Sequence, residues 1–427
     1  MFFLFGVGAV LPFNAIVTAI DYFSQRFPTR DPAFTFSLIL NGPNLVFSFA
    51  NVFLASCLSL KIRLVASLMF ILTMLFVLPL VSNFVTEPLA WILVILIIIC
   101  VGIANAFAQS GIFGFAGMLP EKYIGAVMFG NGLSGIVMNV FRIITLAIFP
   151  PIEVREGEVD TSAFIGCLIY FAIAALVLML CIFGYFVVCK TSFARHHMSK
   201  INSKQGKYST EKIGGPNNPS LTLHRNIMSE ETRGYSKINT NDTEMNAQEL
   251  NTEPKTFLTV YKEVGFMAFQ VFACFLITFV VFPGTHLSTH FDFMGNSLAD
   301  QAWFSVIMIT LYNFFDTIGR FAGGFVKIFS PTTIISLTIT RLIFIPLSVL
   351  VQIGSTPSWI FESDWFRILN MAIFALTNGY NSTLCMVYGP SCTDKNSKER
   401  AGIIMSLHLV GGIFGGSLIS SFLMTLI

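Results

Sequence analysis

The chain has 427 residues, of which 54% are hydrophobic and 11% are charged. Soluble domains carry about 25% charged residues, so the composition excludes a soluble fold and indicates helices that span a membrane. The net charge of +2 does not favour a nucleic-acid partner. The eight cysteines lack a Cys-x-x-Cys spacing and the sequence shows no metal-ligand cluster or nucleophile motif. We therefore predict no metal, no cofactor and no enzymatic activity.

The first residues, MFFLFGVGAVLPFN, begin an apolar run that continues to Phe23 without a small-residue cleavage site. We interpret this run as the first membrane span rather than as a signal peptide. Because the chain begins inside or just before this span, we expect a short N-terminal tail to be missing.

Further apolar runs of about 20 residues, the length that crosses a bilayer, follow along the chain. A polar segment at about 190–256 lacks apolar periodicity and predicts a disordered linker. We thus predict an all-α polytopic membrane protein with a six-helix bundle at 1–189, a cytoplasmic linker at 190–257 and a five-helix bundle at 258–427. The eleven predicted transmembrane helices lie near residues 2–23, 34–57, 64–82, 88–117, 123–149, 163–188, 258–283, 302–327, 332–353, 366–389 and 401–426.

Lysine and arginine are concentrated in the loops after the even-numbered spans, and the opposite loops carry only Arg26, Arg30, Arg155 and Arg367. Positively charged loops stay on the cytoplasmic side of a membrane. The N-terminus and the linker are therefore predicted to be cytoplasmic, and the C-terminus extracellular.

Two segments share a similar residue pattern, LPEKYIGAVMFGNGLSG (119–135) and YGPSCTDKNSKERAGIIMSLHLVGG (388–412). Each has a proline, a charged turn, a helix start with small residues and then spaced glycines. The fourth and fifth spans would then correspond to the tenth and eleventh, as in the parallel repeats of major-facilitator transporters. We therefore expect a major-facilitator-like arrangement of six and five helices.

Polar residues lie at helical spacing in six of the predicted spans, so each set forms one polar face. In lipid such a face must contact protein or a water-filled cavity. Interhelical hydrogen bonding explains any single set, but six sets predict a polar cavity whose amides suit a neutral solute better than an ion. The sets are Asn14, Thr18 and Asp21; Ser37, Asn41, Asn44, Ser48 and Asn51; Asn105 and Gln109; Gly132, Gly135, Asn139 and Arg142; Asn313, Asp316 and Arg320; and Asn378 and Asn381.

Charged residues inside the predicted spans are candidates for function, because each costs about 2.5–3.5 kcal/mol on insertion scales. Asp316 and Arg320 are one helical turn apart and can pair, either to contact the solute or only to hold helices together. Asp21, near the outer end of the first span, is a candidate for proton coupling or a solvated carboxylate. Arg142 has a pore role or a structural role, and Arg341 is predicted to form a structural hydrogen-bond clamp.

Several segments resemble the equilibrative nucleoside transporter family, and they are spread from residue 6 to residue 405. The eighth span has the family's Phe-Asn-x-x-Asp-x-x-Gly-Arg pattern in YNFFDTIGR. The other matching segments are GVGAVLPFN, NGPNL, AQSGIFGFAGMLP, FVVFPG, RLIFIP, LTNGYNSTLCMVYGP and ERAGIIM. The resemblance implies eleven spans, a major-facilitator-like fold and a large cytoplasmic loop after the sixth span.

The resemblance also implies roles for single residues. Gln109 is similar to the family residue that bonds the base, and Asp316 and Arg320 are similar to the pair that holds the ribose hydroxyls. The remaining implied cavity residues are Asn14 and Asn313, with Phe282 as a cavity or gate aromatic.

This sequence departs from the family pattern in the cavity at Phe13, Asn105 and Ile309, where other members have Trp, Gly or an aromatic residue. These three departures leave base preference and inhibitor sensitivity undefined.

We predict a transporter that moves nucleosides, and nucleobases as a further substrate class, by facilitative alternating access in a lipid bilayer. A proton-coupled symporter with Asp21 or Asp316 as the proton carrier is the alternative within transport. A membrane receptor or sensor is a more remote alternative, which the odd span count and the polar faces disfavour. Plasma membrane is the expected location.

Overall fold

The computed structural model describes residues 1–30, 32–55, 57–148, 161–192, 255–284, 291–295, 297–354 and 358–426. The chain forms two compact units, one made of Met1–Val187 with Phe257–Ile427 and the other of Val188–Thr256. Most of the second unit, and with it the predicted disordered linker, lies outside the described residues. The predicted boundaries between two bundles and a linker remain a prediction.

The regular elements of the described residues are helical, which confirms the predicted all-α class. A π-helical turn, Ile62–Ala66, precedes the fourth helix in the first half of the chain. The helices of this half are α1 (Phe2–Thr18), α2 (Ile20–Arg26), α3 (Pro32–Leu54), α4 (Ser67–Phe84), α5 (Leu89–Gly117), α6 (Lys122–Ile148) and α7 (Thr161–Lys190).

The described residues of the second half form five long helical stretches, one of which is interrupted. A short 3₁₀ turn, Arg341–Ile343, divides that stretch into two helices. The helices of this half are α8 (Phe257–Val281), α9 (Leu298–Phe325), α10 (Ile334–Thr340), α11 (Phe344–Gln352), α12 (Ser358–Phe361), α13 (Asp364–Ser391) and α14 (Lys398–Leu426).

Each of the eleven predicted spans overlaps helical residues, although some ends differ and the first span falls on the two helices α1 and α2. In the described residues, nine stretches are long and apolar enough to cross a membrane. The two others are the shorter apolar helix α1 and the more polar α13, so the count of eleven spans remains a prediction.

The start of α9 precedes the predicted start of the eighth span at residue 302, because a capping box lies there. The hydroxyl of Ser297 accepts from the backbone N–H of Asp300 at 3.2 Å, and the Asp300 carboxylate accepts from the backbone N–H of Ser297 at 3.2 Å. This reciprocal pair satisfies two N–H groups that a helix end otherwise leaves unpaired.

Close helix packing in the second half depends on glycine. A Cβ atom on Gly379 of α13 would collide with the backbone carbonyl oxygen of Asp316 on α9. Small residues let two membrane helices approach until their backbones touch. Gly379 therefore positions α13 directly against the turn of α9 that carries Asp316.

The two halves of the chain meet along α6 and α9, which pack extensively against each other. A Cβ on Gly132 of α6 would lie 2.7 Å from the hydroxyl oxygen of Thr317 and 3.0 Å from Cδ of Arg320. We call this α6–α9 contact the seam. The polar face of α9 predicted from the sequence therefore lies against the glycine-rich face of α6.

One end of the seam is joined by polar contacts from loops that the sequence predicts to share the cytoplasmic side. Glu121, before α6, forms an ion pair with Lys327 and accepts a hydrogen bond from Ser391 at 2.8 Å. Arg63 forms an ion pair with Glu399 at the start of α14. Burial raises the pKa of Glu121, but the bonds from Lys327 and Ser391 outweigh it, so the net pKa is lowered.

Toward the other end of the seam, α6 and α9 line an apolar crevice of about 290 Å³. It is formed by Ile143, Trp303, Val306, Ile307, Thr310, Leu311 and Phe314. Charged side chains thus join the two halves at one end of the seam. Toward the other end, the two halves line an apolar crevice.

Candidate functional site

The charged pair of α9 is formed as the spacing predicts. Asp316 and Arg320 are 2% and 7% exposed, and Nε of Arg320 donates to Oδ2 of Asp316 at 2.6 Å. The pair is one turn apart on a single helix, so its geometry is set within α9. Each charge offsets the other, which lowers the free-energy cost of burying both.

A second polar contact holds the Asp316 carboxylate from the neighbouring helix. Asn378 of α13 donates from Nδ2 to Oδ1 of Asp316 at 2.7 Å and to the hydroxyl of Tyr312 at 3.0 Å. The close approach of α13 at Gly379 brings Asn378 within this range. Asp316 is therefore bonded on both oxygens, once from its own helix and once from α13.

The network continues from Asn378 to Arg341. Thr278 of α8 donates to Oδ1 of Asn378 at 2.7 Å, and Nη2 of Arg341 donates to the Thr278 hydroxyl at 2.8 Å. Nη1 of Arg341 donates to the carbonyl oxygen of Phe374 at 2.9 Å and to Thr377 at 2.6 Å. Arg341 thus bonds α8 and α13 together, in agreement with the predicted structural clamp.

Aromatic side chains border the network. Phe282 stacks on Tyr312 with ring centroids 4.2 Å apart and an interplanar angle of 7°. Arg320 lies 5.9 Å from the ring centroid of Phe275, within the range of a cation–π contact. Its Nη1 also approaches the sulfur of Met128 on α6 at 4.0 Å. The predicted gate aromatic, Phe282, is connected to the charged pair through Tyr312 and Asn378.

Two predicted cavity amides lie along the seam. A Cβ on Gly135 of α6 would meet the side-chain amide of Asn313, with its nitrogen 2.7 Å away. One residue before that glycine, Ser134 accepts a hydrogen bond from Nδ2 of Asn14 at 2.9 Å. Asn14 and Asn313 are thus brought to neighbouring positions of α6, beside the glycine that contacts Arg320.

Gln109 is buried in α5, at 4% exposure, and none of the described residues forms a hydrogen bond with its side chain. One turn earlier, Oδ1 of Asn105 is buried and has no partner in the described part of the chain. Helix α5 therefore carries two buried amide side chains one turn apart, with Oδ1 of Asn105 unpartnered in the described part of the chain.

Of the two predicted coupling or gating residues, Arg142 and Asp21, the described residues include the side chain of Arg142 only. Arg142 is half-buried on α6, two turns beyond Gly135, and its carbonyl oxygen accepts from Thr145 at 3.0 Å. The side chain of Asp21 lies outside the described residues, although its backbone belongs to α2. No group of His, Cys, Asp and Glu side chains among the described residues could hold a metal ion.

Three residues of the network were absent from the predicted set of site residues, namely Tyr312, Asn378 and Thr278. Asn378 belonged to a recognised polar face, and Tyr312 directly precedes Asn313 in the quoted motif. Thr278 lies among apolar residues near the end of helix α8. Nothing in its neighbouring sequence predicts the hydrogen bonds that its hydroxyl makes.

The chemistry available at this network is hydrogen bonding to a polar solute. It combines a carboxylate, a guanidinium, amides and aromatic rings inside a bundle of membrane-spanning length. The fold is similar to that of two solved major facilitator superfamily transporters. FucP in the outward conformation gives a TM-score of 0.60 at 12% identity over 99% of this chain and 89% of that chain. The proton:xylose symporter XylE gives 0.60 at 13% identity over 99% and 87%. The chain therefore has a fold similar to that of these two proteins, with a buried polar network inside its helical bundle.

The family follows from the sequence comparisons. The family described as Nucleoside transporter matches residues 95–425. Equilibrative nucleoside transporter 1 of Homo sapiens is 27% identical, covering 98% of this chain and 95% of the relative. Equilibrative nucleotide transporter 1 of Arabidopsis thaliana is 28% identical, covering 99% and 85%. The chain belongs to the nucleoside transporter family, which confirms the resemblance stated from its motifs and makes it an integral membrane carrier rather than an enzyme.

Proposed function

We propose that the protein carries nucleosides across a membrane by alternating access of its two halves, without coupling to an ion gradient. The observation that carries this proposal is the buried Asp316–Arg320 pair beside the seam, because it places a carboxylate and a guanidinium where the two halves meet. The names of the curated relatives support nucleosides as the cargo and the equilibrative mode.

The pair suits a ribose. A carboxylate has about four acceptor positions and a guanidinium five donor N–H groups. The contacts with Arg320 and Asn378 occupy one acceptor position on each oxygen of Asp316. Acceptors on Asp316 and donors on Arg320 therefore remain for the vicinal hydroxyls of a nucleoside, which both donate and accept.

We assign the base to the α5 side of the cavity. Gln109 is a buried amide whose donor and acceptor match the edge of a nucleobase, and Asn105 adds a second amide one turn away. Asn14 and Asn313 line the seam between them and the ribose site, and Phe282 closes the cavity on the aromatic side. Nucleobases, which lack the ribose, are bound more weakly in this arrangement.

The proposed setting is the plasma membrane, with the linker in the cytoplasm and the C-terminus outside. The placement of Glu121, Lys327 and Ser391 at one end of the seam supports this topology, since their loops are predicted to share a side.

The test is uptake of labelled adenosine by proteoliposomes, with and without an inward proton gradient. We expect saturable uptake that ignores the gradient and stops at equal concentrations on the two sides. Uptake that overshoots only with the gradient would overturn the facilitative mode and assign proton coupling to Asp21 or Asp316. Parallel assays with uridine and hypoxanthine define the substrate range, and no uptake of any of the three would overturn the proposed function.

A further inference from the structure

We infer that Asn378 is a positioning residue, which orients the Asp316 carboxylate for the ribose and links it to the Phe282–Tyr312 stack. This inference rests on the proposed function. Both donor positions and the acceptor of the Asn378 amide are already bonded to protein groups, so it acts on the solute through Asp316. Asp316 is the group proposed to contact the ribose, because it belongs to the charged pair beside the seam.

The amide of Asn378 has one orientation that satisfies its surroundings. Its Nδ2 faces two acceptors, Oδ1 of Asp316 and the hydroxyl oxygen of Tyr312. Its Oδ1 faces donors, with Thr278 at 2.7 Å and Nη2 of Arg341 at 3.4 Å. A flipped amide would set its N–H groups against the guanidinium and its oxygen against the carboxylate. The orientation of Asn378 is thus fixed from both sides.

Because the amide of Asn378 has one orientation, it also orients the carboxylate of Asp316. Asp316 receives Nε of Arg320 on Oδ2 at 2.6 Å and Nδ2 of Asn378 on Oδ1 at 2.7 Å. Two short bonds from different helices hold the plane of the carboxylate, whereas Arg320 alone would leave it free to rotate. Catalysts and binding sites gain from side chains held in this way by a supporting shell of hydrogen bonds.

The same amide connects the carboxylate to the Phe282–Tyr312 stack. Tyr312 accepts from Asn378 through its hydroxyl, while its ring stacks on Phe282 at 4.2 Å. Removal of the hydroxyl alone, by Tyr312→Phe, keeps the stacked ring and cuts this connection. Tyr312→Phe therefore separates positioning from packing.

The experiment compares the binding of labelled adenosine with that of 2′,3′-dideoxyadenosine, which lacks the vicinal 2′ and 3′ hydroxyls but keeps the 5′ hydroxyl, by the purified protein in detergent. The variants are Asn378→Leu and Tyr312→Phe. Asn381→Leu is the matched control, since Asn381 is one turn away on α13, is 0% exposed and bonds Thr338 instead of Asp316. Folding is checked for each variant by size-exclusion chromatography.

We expect Asn378→Leu to weaken adenosine binding about tenfold or more, the effect of a hydrogen bond to a charged group, with little change for the dideoxy compound. Tyr312→Phe shows the same selective loss in smaller measure, and Asn381→Leu keeps the wild-type ratio of the two affinities. Equal losses for both compounds, or an unchanged ratio in Tyr312→Phe, would overturn the positioning role. If Asn378→Leu does not fold, Tyr312→Phe decides.

The wild-type protein separates this inference from the proposed function. Wild-type protein that binds neither compound contradicts the proposed function itself. Wild-type protein that prefers adenosine, together with variants that keep the whole preference, contradicts only the role of Asn378.

Discussion

At the scale of single residues, the site is a charged pair whose parts are all held by hydrogen bonds. Asp316 is bonded by Arg320 and by Asn378, and Asn378 is in turn bonded by Thr278. Loss of one partner from a buried ion pair leaves an uncompensated charge, which costs about 3–5 kcal/mol. Substitutions here act on the charge and on the fold together, so experiments must separate the two.

Asp316→Asn keeps the shape of the side chain and removes its charge. We expect it to lower adenosine uptake at least about tenfold, because a neutral amide accepts weakly from ribose hydroxyls and leaves Arg320 unpaired. Uptake is measured per protein at the cell surface, determined by biotinylation. Asp364→Asn is the control, since Asp364 pairs with Arg367 at the start of α13, away from the network. Uptake by Asp316→Asn equal to that of the wild type would contradict the ribose role.

Gln109→Ala tests the proposed base contact. We expect the KM for adenosine to rise about five- to tenfold, as for one lost hydrogen bond of about 1–1.5 kcal/mol. The maximal rate changes less, because the ribose contacts remain. Initial rates are measured for adenosine and uridine across a concentration series. Gln270→Ala serves as a control in a second buried amide, on α8. Unchanged KM values for both nucleosides would remove Gln109 from the site.

At the scale of helices, the sequence predicts which residues share a face but not which faces meet. The spacing of Asp316 and Arg320 was sufficient to predict their pairing, because both lie on α9. The bond between Asn378 and Asp316 joins residues 62 positions apart, and its prediction would require the relative position of two helices. Thr278 was missed for the same physical reason. The early start of α9 was missed because the box at Ser297 and Asp300 lies outside the apolar run.

The contact of α9 with α13 depends on Gly379. We expect Gly379→Ala to prevent stable folding, because its Cβ would collide with the Asp316 carbonyl oxygen and lie 2.7 Å from the backbone nitrogen of Arg320. Both neighbours are backbone atoms that cannot move aside without displacing a helix. The measurement is the melting temperature in detergent, followed by fluorescence-detected size-exclusion chromatography.

Gly265→Ala on α8 is the matched control for that substitution. The nearest atom to its Cβ would be a ring carbon of Tyr261 at 3.9 Å, an ordinary contact. Alanine also has a higher helix propensity than glycine, by about 0.8–1 kcal/mol. We expect this variant to be as stable as the wild type or more so. Equal melting temperatures for the two variants would show that α9 and α13 do not approach this closely.

At the scale of the whole molecule, the two halves are joined by charged contacts at one end and line an apolar crevice toward the other. Alternating access requires one end to open while the other closes. In this structure the end with Glu121, Lys327 and Arg63 is closed. Its contacts therefore contribute to the stability of one of the two states, and their loss shifts the populations.

The carboxylate of Glu121 makes this balance dependent on pH. Its pKa lies below the ordinary value of 4.5, so the ionised form is favoured when the contact is made. The stabilisation that the ionised Glu121 gives to the closed state is fully present above pH 4.5. It is lost as the pH falls through the lowered pKa of Glu121. We expect the fraction with this end open to rise only in that acidic range. The measurement is the distance between spin labels placed on the two halves at this end.

Glu121→Gln should raise the open fraction at neutral pH and abolish its change with acidification. The double variant Glu121→Lys with Lys327→Glu restores a pair of opposite charge and should return the open fraction toward the wild-type value. A wild-type distance distribution in Glu121→Gln would show that this contact does not stabilise the closed end.

The Asp316–Arg320 pair has one electrical consequence. A carrier that exposes its site alternately to the two sides moves the charges of that site through the transmembrane field, at about 2.3 kcal/mol per elementary charge and 100 mV. The ion pair has no net charge, so this field does no work on it, and an uncharged nucleoside adds none. The change of exposure from one side of the membrane to the other should therefore not depend on membrane potential through this site. Asp316→Asn would leave one positive charge there, and its residual flux would depend on membrane potential.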